Sequence, residues 1–200
     1  MVVDMEQVKS FINRLVEAGL VDAINSFDKI FHPHEWFEEN MPEQYSICSG
    51  ASKGVIVSKE TDYVIKFDYC GEDSYCKIEA DNYGYAVKAG LARYFAETRF
   101  VCEIDGITFT IQEKCNCDEG AVYDSLGRYV RSTYEDEGSE YNEHDIWSEV
   151  DCLFDEGRAY EMFEDADLAH FICQNYINDL HQGNFGFIGE RLVMIDFSGF

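Results

Sequence analysis

The sequence predicts an α+β protein whose first half builds a five-stranded antiparallel sheet and whose second half is mostly helical. Three observations carry this. From Tyr45 the apolar period becomes two, in short runs up to Phe67 and again between Phe100 and Gln112, the period of strands with one buried face. Asp105-Gly106 separates the last two runs, a pair suited to the φ > 0 positions of a tight hairpin. Apolar spacings of three and four dominate the flanking segments, the period of helices.

The elements follow in order. Val8, Phe11, Ile12, Leu15 and Val16 share one helical face, and Ala18-Gly19 ends or bends that helix. His32-Pro33-His34-Glu35 interrupts the pattern before a short aromatic piece at Trp36 and Phe37. A surface turn is expected there in preference to a His-x-His-Glu metal site, which lacks a third fixed ligand. Strands are expected at Tyr45–Ser49, Val55–Ser58 and Tyr63–Phe67, followed by one long helix from Ser74 to Thr98 carrying Ile78, Ala86, Val87, Leu91 and Phe95. Phe100–Ile104 and Ile107–Gln112 complete the sheet. Residues 113–150 are polar, and the run Glu135-Asp136-Glu137-Gly138-Ser139-Glu140 reads as a solvated loop, because its carboxylates have no fixed spacing. Helical periodicity returns from Ile146 and from Leu168 to Ile177. A closing hairpin pairs Phe185–Ile188 with Leu192–Ile195 around Gly189-Glu190. The expected organisation is a helical extension over 1–44, a sheet-rich lobe over 45–113 and a smaller lobe over 114–200.

Forty acidic against fifteen basic side chains give a formal charge of −25, which argues against nucleic-acid backbones and anionic membranes as partners. No run approaches the roughly 20 apolar residues of a membrane helix, and the acidic, amphipathic start MVVDMEQVKS does not resemble a signal peptide. The expectation is a cytoplasmic protein. Eight cysteines occur without a CxxC pair. Small, reduced, half-buried thiols are therefore expected, and Cys115-Asn116-Cys117 is a poor metal site because structural zinc takes four ligands.

The last 22 residues carry the chemistry. Asp179 precedes Asn184 by five positions, and Asp196 ends an apolar strand twelve residues later, followed by Phe197-Ser198-Gly199. A loop with an acid and an amide, then a tight hairpin ending in a second acid, converges oxygen ligands of the kind Mg²⁺ prefers. Upstream, Tyr63-Val64-Ile65-Lys66 puts a lysine on a strand after a glycine-containing hairpin, where it can meet phosphate and be held by a helical glutamate.

In this order the pieces resemble the protein-kinase-like superfamily, from about Tyr45 to Phe200. Asp179 to Asn184 is similar to the catalytic-loop D-x-x-x-x-N. Asp196-Phe197-Ser198-Gly199 is similar to D-F-G with one inserted residue, and Val64-Ile65-Lys66 to the end of V-A-I-K. The wording Asp179-Leu180-His181-Gln182-Gly183-Asn184 is closer to the aminoglycoside, choline and UbiB-like kinases than to Ser/Thr kinases. The resemblance implies a two-lobed fold that binds ATP and Mg²⁺. Lys66 would contact the α/β-phosphates, with Glu79 as its ion-pair partner and Glu72 or Glu97 as alternatives at the helix ends. Asn184 and Asp196 would hold Mg²⁺, and Asp179 would receive the proton of an acceptor hydroxyl. Gly50, Ser52 and Gly54 would cover the phosphates. Gln112-Glu113-Lys114-Cys115 would form the hinge, with the backbone of Glu113 and Cys115 at the adenine. His181 reads as a structural hydrogen-bonding residue of the loop.

The sequence departs from the family in three places. Ile177 stands where kinases often carry His, the glycine loop is short, and the residues from Asp196 to Phe200 leave no activation segment or peptide-docking helices. Phosphorylation of a protein substrate in the usual mode is therefore not expected. The acceptor would be a small hydroxyl compound, or a protein brought by a partner. The alternative is a pseudokinase, a nucleotide-binding or regulatory module without turnover.

Overall fold

The computed structural model describes residues 3–26, 32–50, 52–68, 74–138 and 140–199. The chain divides into two compact units, Met1–Gly84 with Glu97–Lys114, and Tyr85–Ala96 with Cys115–Phe200.

The first unit opens with α1 (Met5–Glu17), whose first turn is capped by the Asp4 carboxylate accepting from the N–H groups of Glu6 and Gln7. Its Val8, Phe11, Ile12 and Leu15 are buried, as their spacing requires. Gly19 at φ 89 ends the run, since that backbone conformation costs a glycine little. The short α2 (Leu20–Ile24) follows. The turn expected at His32–Glu35 is instead the start of α3 (Pro33–Asn40). Proline fits the first helical position because its missing N–H has no intrahelical acceptor there.

Five strands come next: β1 (Tyr45–Ser49), β2 (Lys53–Ser58), β3 (Tyr63–Asp68), β4 (Thr98–Ile104) and β5 (Ile107–Glu113). They form one antiparallel sheet in the order β1-β2-β3-β5-β4. Asp105 and Gly106 both take positive φ, as the hairpin between β4 and β5 demands. Because alternate side chains leave opposite faces of a strand, the sheet has two characters. Ile47, Ile56, Ile65, Phe67, Ile107, Phe109 and Ile111 join α1, α2 and α3 in one apolar cluster. Phe67 is fully buried there, its ring stacked at 6.2 Å from that of Phe37 and at 6.0 Å from that of Phe109. Burial of each such side chain is worth roughly 1.5–3 kcal/mol. The helices before residue 44 are thus part of the same unit as the sheet. The opposite face carries Lys66, Asp68, Thr108, Thr110 and Gln112, all buried although polar.

Helix α4 (Tyr75–Lys88) follows β3, and its first turn is tied to the end of that strand. The Asp68 carboxylate accepts from Ser74 Oγ at 2.7 Å and from Cys76 N at 3.1 Å, and Ser74 Oγ accepts from Lys77 N. The single helix expected over 74–98 stops at Lys88. Gly90 adopts φ 76, and the N–H of Leu91 reaches back to the carbonyl of Ala86, a glycine-terminated C-cap. Residues Ala92–Tyr94 form a 3₁₀ turn, and β4 starts at Thr98.

In the second unit, the solvated loop expected for the acidic run at 135–140 is helix as far as Glu137, within the polar stretch 113–150. Most of that stretch is α5 (Glu119–Glu137) and the start of α6 (Glu143–Asp155). Asp118 caps α5, Gly138 ends it at φ 66, and an Asn142–Asp145 capping box begins α6. Glu135, Asp136 and Glu137 are the last turn of α5; Ser139 lies outside the described residues. Val122, Leu126 and Val130 recur every four residues on the buried side of α5. Gly127 admits Trp147, since a Cβ there would stand 2.5 Å from the indole. The Tyr123 ring stacks at 5.2 Å on that of Trp147, and its hydroxyl donates to Asp151. Desolvation, then that carboxylate, pushes the phenol up to about 12.

Helix α7 (Ala166–Gln174) is capped by Asp165, which also accepts from the Tyr94 hydroxyl at 2.6 Å and from Arg93 at 2.8 Å. The closing hairpin is β6 (Phe185–Ile188) and β7 (Arg191–Met194). Among the described residues the chain therefore has seven α-helices and seven strands, an α+β protein as expected. None of those helices is long and apolar enough to cross a membrane.

Candidate functional site

In the first unit, Lys66 sits near the middle of β3 between Ile65 and Phe67, which both point into the apolar cluster. The alternation therefore turns Lys66 to the polar face. There its Nζ donates to Glu79 Oε2 at 2.9 Å. Glu79 lies on α4 thirteen residues later and is 0% exposed, against 5% for Lys66. The capping of α4 by Asp68 and Ser74 sets the rotation of the helix and so aims Glu79 at β3. Its other oxygen, Oε1, accepts from Lys53 Nζ at 2.7 Å. One buried carboxylate thus holds two buried ammonium groups, one on each oxygen. Burial first, then the carboxylates of Glu79 and Asp68, pushes the nearby Cys76 thiol well above its ordinary range.

The alternative partners stand elsewhere. Glu97 pairs with Arg99, and its carbonyl accepts from the N–H of Glu113. Glu72 lies outside the described residues. Thr110 faces Lys66 in the β3–β5 register. The hydroxyls of Thr108 and Thr110 are buried and have no hydrogen-bond partner among the described residues. A buried polar group in that state calls for a ligand or solvent partner.

The glycine hairpin is compact. The N–H of Gly50 donates to the carbonyl of Lys53 at 3.0 Å, and Ser52 is half-buried. Gly54 is already paired in β2, opposite Ser49 and Phe67. A Cβ on Gly54 would come within 2.4 Å of the Phe67 ring, so packing of that ring demands glycine there. At the expected hinge, Gln112 donates to Thr98 Oγ1, and Lys114 Nζ donates to the carbonyl of Ser58. The boundary between the two units falls between Lys114 and Cys115. Cys115 packs on Gly186, whose added Cβ would meet the Cys115 side chain at 2.9 Å.

In the second unit the loop after α7 carries Asp179. Tyr176 takes φ 55, and its carbonyl would be 2.2 Å from a Cβ on Gly199; the carbonyl of Asn178 would be equally close to one on Gly157. Two glycines therefore clamp the loop backbone immediately before Asp179. Ile177 fills its position as a buried apolar residue. His181 caps the 3₁₀ turn Gln182–Asn184 by accepting from Gly183 N at Nδ1, the structural part expected of it.

Asn184 is buried. Its side-chain amide donates to the carbonyl of Asp179, and its own carbonyl accepts from Ile195 N at 2.8 Å and Asp196 N at 3.5 Å. These bonds bring Asp179, Asn184 and Asp196 to one place. Phe197 is buried with its ring 5.0 Å from that of Phe95. The Asp179 side chain is half-buried and makes no hydrogen bond among the described residues. Ser198 donates to Asp196 Oδ1.

The amide and carboxylate oxygens of Asn184 and Asp196 are a hard donor set. Among the described residues no three His, Cys, Asp or Glu side chains gather into a metal cage. Mg²⁺ needs none, since it binds through one or two carboxylates together with phosphate and water. The residues present fit that ion.

No protein-family model matches the chain, and no curated protein matches its sequence. The sequence reading missed Lys53, grouping it with the hairpin turn. The available signal was its place opposite Asp68 in the β2–β3 register, which emerges only once the strands are paired.

Proposed function

We propose that the protein is a kinase-like nucleotide-binding protein that takes ATP with Mg²⁺ and transfers the γ-phosphoryl group to a hydroxyl acceptor. The observation that carries this is the buried Lys66–Glu79 pair, a fixed cation on the polar face of the sheet. It is supported by the grouping of Asp179, Asn184 and Asp196 in the second unit.

Lys66 would meet the α/β-phosphates, and Asn184 and Asp196 would hold Mg²⁺, which when bound neutralises phosphate charge. The acceptor oxygen forms a bond to the γ-phosphorus while the bond to the β,γ-bridging oxygen breaks. ADP leaves with that electron pair, and the hydroxyl proton passes to Asp179. In a chain of formal charge −25, prior neutralisation by the metal also lowers the repulsion of the nucleotide.

The test is melting temperature against ATP and ADP, with and without Mg²⁺, followed by turnover assays with small hydroxyl compounds. Nucleotide at about 100 times its Kd stabilises by roughly 2.7 kcal/mol, a rise of about 5–11 °C for a domain of this size. Asp196→Ala should remove the Mg²⁺-dependent part of the rise. Asp179→Ala should keep the rise and abolish transfer. No shift at millimolar nucleotide overturns the proposal. A metal-dependent shift without turnover for any acceptor leaves a nucleotide-binding module in place of the enzyme.

A further inference from the structure

The geometry points to Lys53 as a second phosphate-binding lysine, acting beside Lys66 through their shared carboxylate. The inference rests on the nucleotide reading above and adds a residue to it. Lys53 begins β2, directly after the glycine turn, and only 8% of it is exposed. Its Nζ lies 2.7 Å from Glu79 Oε1, while Lys66 Nζ lies 2.9 Å from Oε2.

A single lysine is enough to pair a buried carboxylate. Withdrawing a second ammonium from water costs several kcal/mol, which Glu79 and the buried carboxylate of Asp68, opposite Lys53 in the β2–β3 register, offset. The neighbouring buried carboxylate, Asp68, is engaged by Ser74 Oγ and Cys76 N at the start of α4. The arrangement therefore presents two cations held one on each oxygen of Glu79.

The compact hairpin gives this a reason. A long glycine loop binds phosphates with successive backbone N–H groups. Here the N–H of Gly50 is taken by the Lys53 carbonyl, and Gly54 is committed to β2 and to the Phe67 ring. A side-chain cation delivered from the same turn supplies the positive charge that a longer loop would give through its backbone. Lysine suits this because its ammonium is a compact point charge with several donors, able to serve carboxylate and phosphate together.

Two measurements test it. In the first, the wild-type protein is incubated with an acyl-phosphate derivative of ATP. A nearby lysine amine attacks the acyl carbonyl, forming an amide and releasing ATP, and the modified peptides are identified by mass spectrometry. Labelling of both Lys53 and Lys66, each suppressed by excess ATP, is expected; labelling of Lys66 alone overturns the assignment. In the second, Lys53→Met is compared with wild type for binding of ATP and of adenosine. Loss of a charge-assisted phosphate contact should weaken ATP by about 10- to 100-fold and leave adenosine within about twofold. Equal losses for both ligands would make Lys53 a structural residue and overturn the proposal. If Lys53→Met does not fold, the labelling result decides alone. A wild-type protein that binds neither ligand overturns the nucleotide reading itself, an outcome distinct from failure of Lys53 only.

Discussion

Replacing Glu79 with glutamine isolates the carboxylate that anchors the polar face of the sheet. The substitution keeps the shape and one acceptor oxygen, which can still receive one lysine. The other lysine would meet a side-chain NH₂, donor against donor. With Glu79 at 0% exposure and Lys53 and Lys66 at 8% and 5%, water cannot readily replace the lost charge. Removing one partner of a buried ion pair costs about 3–5 kcal/mol, and the acceptor kept by glutamine places the expectation near the lower figure. Urea unfolding followed by fluorescence can assign the loss to the right unit, because Trp36 lies in α3 and Trp147 in α6. A Trp147→Phe background leaves Trp36 as reporter for the first unit. Glu6→Gln, which removes the exposed partner of Lys9, is the control and should cost at most about 1 kcal/mol. If Glu79→Gln costs no more than that control, the two ammonium groups are hydrated and the carboxylate does not hold them.

Gly199→Ala should destabilise the second unit by about 1–3 kcal/mol, because a Cβ at φ 72 would press within 2.2 Å of the Tyr176 carbonyl. Gly189→Ala, at φ 62 in open space, should lose only the backbone preference of about 1 kcal/mol; equal losses in urea melts would remove the contact from the explanation. Asp165 offers a pH test. The Tyr94 hydroxyl, then the Leu168 and Asp167 N–H groups and Arg93, hold its carboxyl below the ordinary value. A carboxyl lowered in the folded state adds stability above its unfolded pKa of about 3.9, and that stability is lost as pH falls through the folded value. Asp165→Asn should therefore melt below wild type near pH 6, and the gap should narrow below about pH 4. A gap that stays constant from about pH 6 to pH 2 would refute the charge assignment.

Strands were the most readable part of the sequence, because one apolar face of the sheet is covered by α1 to α3 and stamps period two on β2, β3 and β5. The first helix was readable for the same reason. Helix α5 was not, since only Val122, Leu126 and Val130 mark its buried side while the rest of its surface is polar or charged. Its ends nevertheless carried signals, in the Asp118 cap and in Gly138. The spacing overextends α4 because Val87, Leu91 and Phe95 continue a helical period across Gly90, where the chain has already turned. Within the candidate site, Asp179, Asn184 and Asp196 were legible from their spacing, whereas the choice of Glu79 as the partner of Lys66 came from the family resemblance. Lys53 was not, since nothing local links a turn residue to a glutamate twenty-six positions away.

The cover that α1 to α3 give the sheet has a consequence in time. Val8 and Phe11 share their cluster with Phe109 and Ile111, about a hundred residues further along the chain. At roughly 5–20 residues per second of synthesis, that apolar helix face leaves the ribosome about 5–20 seconds before β5 exists. The β1–β2 hairpin arrives earlier, but an isolated hairpin is only marginally stable in water. During that interval the nascent chain displays an unpaired apolar stripe. Its yield in a cell then depends on elongation rate and on the chaperones within reach as well as on how stable the finished fold is.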